Sequence, residues 1–169
     1  QLTNPLQVPQ QVLSDVDALV GDHSQAQHHA LSFAGYVTGL AAQRGITTDN
    51  IYVTGHSLGG IQASYVAQQT GLGGAAFEST GIPRSATAVG DGSNFLSFAT
   101  YGDPVASLGS DIQGFQPVSP SYAAGQAGDL PHYGTLVMIG DVADQVSMAA
   151  EMSPVSYTHL RAHETRGNL

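Results

Sequence analysis

A serine between two glycines, an aspartate ahead of a proline and a histidine near the end of the chain are the residue types from which acyl-transfer chemistry is assembled. The serine is Ser57, in Val53-Thr54-Gly55-His56-Ser57-Leu58-Gly59-Gly60. A serine hydroxyl is a weak nucleophile. It needs a base to take its proton, an acid to orient that base, and N–H donors for the oxyanion that forms. A G-x-S-x-G that follows a strand and opens a helix supplies the first and last of these parts. The sharp turn strains the serine backbone and projects Oγ away from the sheet. Gly55 and Gly59 stand two residues either side, where a Cβ is expected to collide as helix packs on strand, and Gly60 continues the small-residue run. Leu58 N–H, at the helix start, is the candidate oxyanion donor. His56 fills the variable elbow position, where packing beside the nucleophile is expected rather than a role as base. The plain alternative is a Gly/Ser-rich turn in a chain with 21 Gly.

Asp103, in Tyr101-Gly102-Asp103-Pro104-Val105, is the candidate acid. It ends the apolar run 95–101, and the carboxyl ends of parallel strands are where ligands gather. A turn aspartate before Pro104 is the competing reading. Asp111, Asp91 and Asp141 are rivals, and Asp91 reads as a turn residue in Gly-Asp-Gly-Ser-Asn. The general base is left open. His132, in Leu130-Pro131-His132-Tyr133-Gly134, is the fallback. It precedes the strand 135–139, so a parallel strand there starts at the edge away from Ser57.

Those residues depend on a small set of elements. Ala30, Leu31, Ala34, Val37, Leu40 and Ala41 recur at helical spacing, predicting a helix within 22–44 closed by Gly45; His28 and His29 point to its solvated surface. The β-branched run 50–54 predicts a strand and 58–70 a helix capped by Gly71. Further strands are expected at 75–78, 95–101 and 135–139. Strands alternating with helices predict an α/β fold with a mainly parallel sheet, Ser57 at the end of a central strand.

Thr54–Gly60 (TGHSLGG), the preceding amphipathic helix and Asp103-Pro104-Val105 resemble the class 3 lipases of the α/β-hydrolase superfamily, their bacterial secreted-type members most. The resemblance spans about residues 22–140. It implies a three-layer α/β-hydrolase sandwich and a serine esterase acting on acylglycerols or related lipids. It also implies a triad of Ser57, Asp103 and a His, with transient contact at a lipid interface and a secreted location. The family carries a second oxyanion donor on an upstream Arg-Gly-Thr-like turn, which residues 1–21 do not match. It also carries a non-catalytic His-x-Gly where His132 stands, with its catalytic His on a later loop. No cofactor or metal is called for. A different ester substrate such as a phospholipid or polyester, and a non-catalytic hydrolase-like binding domain, are the alternatives.

Composition narrows the partners. Thirteen Asp and Glu face four Arg and no Lys, a formal charge of −9. Nucleic-acid binding is excluded by the lack of clustered cations, and so is a polybasic membrane anchor. Zero Cys removes thiol nucleophiles and disulfides. No apolar run reaches the roughly 18 residues of a spanning helix, and no signal peptide is visible. Residues 155–165 (VSYTHLRAHET) resemble the in-frame translation of a tagmentation sequencing adapter. Residues 1–154 are therefore expected to be a partial hydrolase domain, truncated at both ends, and 155–169 an artefact tail. The i, i+4 pair His159 and His163 is accordingly not taken as a metal half-site.

Overall fold

The computed structural model describes residues 25–112 and 130–152. Helix α1 (Gln25–Gln43) leads through a single 3₁₀ turn, Thr48–Asn50, to strand β1 (Tyr52–His56), and helix α2 (Leu58–Thr70) follows after one residue. Strands β2 (Gly73–Phe77), β3 (Phe95–Thr100) and β4 (Thr135–Ile139) come next, and a short helix α3 (Gln145–Glu151) closes the described chain. The four strands form one sheet in the order β1-β2-β3-β4, parallel throughout. This is an α/β fold with every strand's carboxyl end at the same edge.

Helix α2 spans the residues its apolar spacing predicts, and Gly71 ends it in the left-handed conformation (φ 76°) that a side chain would make costly. The β4 bounds also match the sequence reading. Strand β1 lies two residues later than expected, and β2 starts two residues and ends one residue earlier, because Tyr52–His56 pairs in register with Gly73–Phe77. The register sets Gly55, Ala76, Ser97 and Leu136 side by side on one face. Ala63 and Ala67 of α2 pack there against Ala76 and Phe95, with Val53 and Tyr133 at the margin. Glycine also lets β2 lie against β1: a Cβ on Gly74 would run into the Val53 backbone. Nearer the start of α2, Ile61 joins Ile82, Leu108 and Leu130 in a second cluster. Ile61 is fully buried, which contributes about 1.5–3 kcal/mol.

Two readings need correction. Among the described strands β1 is an edge strand, not a central one. Helix α3 went unread in the sequence, yet it packs on the turn after β3, where a Cβ on Gly102 (φ 86°) would meet Gln145 O and Ala149 N. Among the described residues no helix is long and apolar enough to cross a membrane.

Candidate active site

Ser57 sits between β1 and α2 with φ 53° and ψ −122°, a left-handed backbone that L-residues avoid. Its N–H donates to Phe77 O across the sheet (2.9 Å), while its carbonyl accepts from Gly60 N (2.9 Å) and Ile61 N (3.2 Å). The strand therefore holds one side of the residue and the helix the other. Strain of this kind costs on the order of 1–3 kcal/mol and persists only where the surroundings enforce it. The N–H groups of Leu58 and Gly59 open α2 and have no carbonyl one turn back to bond, so they are donors for a negative oxygen beside Ser57.

The glycines enforce the turn, though not as the spacing suggests. A Cβ on Gly55 would lie 2.8 Å from Gly60 N and closer still to the Gly59 carbonyl. At Gly60 it would lie 2.7 Å from Ser79 Cβ. At Gly59 it would meet nothing within 4 Å. The expected collision at Gly59 is thus corrected. The position faces an apolar groove of about 330 Å³, lined also by Phe33, Val37, Tyr52 and Val66. The crowded pair is Gly55, against the first turn of α2, and Gly60, against Ser79 on the loop that leaves β2.

Asp103 follows β3 at the edge that carries Ser57. It is buried, and its Oδ1 accepts from Val105 N (2.9 Å) and Ala106 N (2.7 Å), starting the 3₁₀ turn Ala106–Leu108. The turn reading of this aspartate therefore holds, and the residue stands at the carboxyl edge of the sheet. Burial pushes its carboxyl up to about 6. The Ala106 N–H opposes this, the negative Glu78 adds to it, and His56 opposes it. His56, exposed at the end of β1, thus lies in the field of Asp103.

Glu78 was missed in the sequence. It is one residue past β2 and has φ 47°; with Ser57 it makes up the non-glycine positive-φ residues of the described chain. Its Oε2 accepts from Thr100 N (3.0 Å) and its Oε1 from Thr100 Oγ1 (2.6 Å). The signal available in the sequence was a lone carboxylate directly after an apolar run, next in order to the nucleophile's strand.

His132 is drawn elsewhere. Strand β4 is parallel, so His132 does precede its amino end, but the ring reaches the loop leaving β2. Nδ1 lies 2.7 Å from Asp111 Oδ1 and Nε2 lies 2.9 Å from Ser79 O, with the His132 N–H donating to Asp111 Oδ2 (3.0 Å). Its side chain is 1% exposed. Burial pushes the Asp111 carboxyl up, but the hydrogen bond and charge of His132 outweigh it and hold the group below 3.8. Both ring nitrogens are committed, and neither is offered to Ser57. Asp111 and His132 line a polar cavity of about 650 Å³, shared with Arg84, Asp91 and Tyr133, that does not include Ser57.

The remaining candidates resolve simply. Asp91 Oδ1 accepts from Ser93 N (2.9 Å), the turn role expected of it. Asp141 Oδ1 accepts from Ala143 N (2.8 Å) and caps the turn before α3. His28 and His29 are exposed on α1. His159, His163 and the rest of the tail lie outside the described residues, as does the segment 1–21 in which the second oxyanion donor was sought. No protein-family model, curated protein or solved structure matches the chain.

Proposed function

We propose that this chain carries the nucleophile and acid of a serine hydrolase of the α/β-hydrolase type, acting on carboxylic esters of lipids. The single observation that carries the reading is the backbone of Ser57: a positive-φ serine, held between a parallel strand and the first turn of a helix. Ser57 Oγ would attack the ester carbonyl, its proton passing to a histidine base. The tetrahedral oxyanion would be met by Leu58 N–H, the alkoxide would leave with the proton, and water would release the acyl group by the reverse sequence. Asp103 supplies a carboxylate at the same edge to fix the base's tautomer and stabilise the imidazolium. In this reading the base is a histidine other than His132, because His132 is spent on Asp111 and Ser79. The three-layer sandwich, the triacylglycerol-like substrate, contact at a lipid interface and a secreted location belong to the same proposal. No cofactor takes part in it.

The commitment of both His132 nitrogens favours one second reading, a hydrolase-like domain that binds without catalysing. A fluorophosphonate probe separates the two. A hydrolase site gives a covalent adduct on Ser57 that is lost in Ser57→Ala, and a binding domain gives none.

A further inference from the structure

One face of the sheet carries α2, and the other is bare among the described residues. The register places Tyr52, Phe77, Leu96, Phe98, Val137 and Ile139 on that second face. Phe77 and Phe98 stack there with ring centroids 5.0 Å apart. Yet Tyr52 is 72% exposed, Ile139 45%, Leu96 41% and Phe77 40%. The described helices lie elsewhere: α2 on the opposite face, α1 against α2, and α3 on the turn after β3. Parallel sheets are buried on both faces. A contiguous exposed apolar patch on such a sheet marks a surface that something covers.

We propose that residues 12–20 of this chain cover the bare face as an amphipathic helix. Three segments lie outside the described residues: 1–24, 113–129 and 153–169. In the first, Val12, Leu13, Val16, Leu19 and Val20 recur at i, i+1, i+4, i+7 and i+8, an apolar stripe along one side of a helix. Gln11, Ser14 and Asp15 fall on the other side. In the second segment Phe115, Val118 and Tyr122 are interrupted by Pro117 and Pro120, which break a helix. The third is the adapter-like tail and the two residues ahead of it. The dimensions agree, since nine residues of helix rise about 14 Å and a five-residue strand runs about 17 Å. The connection is also long enough. Helix α1 begins at Gln25 and packs beside the edge strand β1, where Phe33 and Val37 share a groove with Tyr52. From Val20 to Gln25 the chain can reach up to about 18 Å, enough to round that edge. The cover depends on the sheet alone and stands whether or not Ser57 is a nucleophile.

The chain has no Cys, so Leu96→Cys puts a single thiol in the middle of the face. In the folded full chain that thiol should react with N-ethylmaleimide at least about tenfold more slowly than in urea, at a rate independent of protein concentration. Adding Val16→Asp and Leu19→Asp puts charge into the apolar stripe and should restore about tenfold of that reactivity, with circular dichroism still showing the α/β core. Three results overturn the proposal. They are a thiol with no protection in the folded chain, protection that survives Val16→Asp with Leu19→Asp, and protection that grows with protein concentration, which would give the face to a second copy. If the substituted chains do not fold, hydrogen exchange on the original chain decides. Amides of residues 12–20 that exchange at least about tenfold more slowly than in the unfolded chain support the cover, and exchange at the unfolded rate overturns it. Failure of Ser57 to take a fluorophosphonate would remove the hydrolase reading and leave these results standing, so the two failures are distinguishable.

Discussion

Adding one methyl group to each elbow glycine in turn gives three different outcomes. In Gly55→Ala the new Cβ falls 2.8 Å from Gly60 N and closer to the Gly59 carbonyl. Both neighbours are main chain, fixed in the first turn of α2, and cannot move without opening the turn at Ser57. Overpacking costs typically about 1–3 kcal/mol, and a backbone-on-backbone clash belongs at or above the top of that range. At about 2–4 °C per kcal/mol for a chain of this size, melting should fall by roughly 6–12 °C. In Gly60→Ala the obstacle is Ser79 Cβ at 2.7 Å, an atom fixed to a buried backbone, so a loss of about 2–3 kcal/mol is expected. In Gly59→Ala nothing lies within 4 Å and the residue is helical, so alanine should be neutral or gain up to about 1 kcal/mol. Urea unfolding followed by circular dichroism measures all three. A Gly59→Ala variant destabilised as much as Gly55→Ala would refute the account of how the turn is held.

Asp103 has its folded-state proton affinity raised from 3.8 to about 6, so its contribution to stability is complete below 3.8 and is lost as pH rises through 6. Asp103→Asn keeps an oxygen for Val105 N and Ala106 N, and should gain about 2–3 kcal/mol relative to the original chain between pH 4 and 7.5; a pH-independent difference in urea midpoints would contradict this. Asp111 shifts the other way. The stability its pair with His132 provides is present above 3.8 and lost as pH falls through the lowered folded value. His132→Ala strands a carboxylate and the Ser79 carbonyl, and should cost about 2–3 kcal/mol near neutrality, less than a fully dry pair because Asp111 is 31% exposed. The gap between its urea midpoint and that of the original chain should narrow in acid to what the lost Ser79 contact and packing cost, and equal losses at pH 3 and pH 7 would count against the pair with Asp111. Turnover of p-nitrophenyl butyrate by the 169-residue chain should stay near background. Robust hydrolysis lost in both Ser57→Ala and His132→Ala would instead make His132 the base.

What the sequence made legible follows from what is local. Helix α2 and its Gly71 cap could be read because apolar spacing and a left-handed glycine are properties of adjacent residues. The strain at Ser57 could be read for the same reason, since only a few residues separate β1 from α2. Which glycine is crowded could not, because that depends on the loop from β2 reaching Gly60. The partner of His132 was equally hidden: Ser79 lies 53 residues away in sequence. Glu78 reads as an ordinary strand end, and its meaning appears only when Thr100 of the neighbouring strand closes on it. Helix α3 is seven residues long and has too few turns for a periodic signal.

The most direct test of the central claim is to treat the folded chain with a fluorophosphonate and locate any adduct by peptide mass spectrometry. The helix N–H groups and the strained turn act even where a triad is incomplete, since an oxyanion site alone retains about 10³–10⁴-fold over water in the protease template. The account predicts slow, selective labelling of Ser57, abolished in Ser57→Ala and retained in folded His132→Ala. An absence of adduct on Ser57, or labelling that persists in Ser57→Ala, would contradict it.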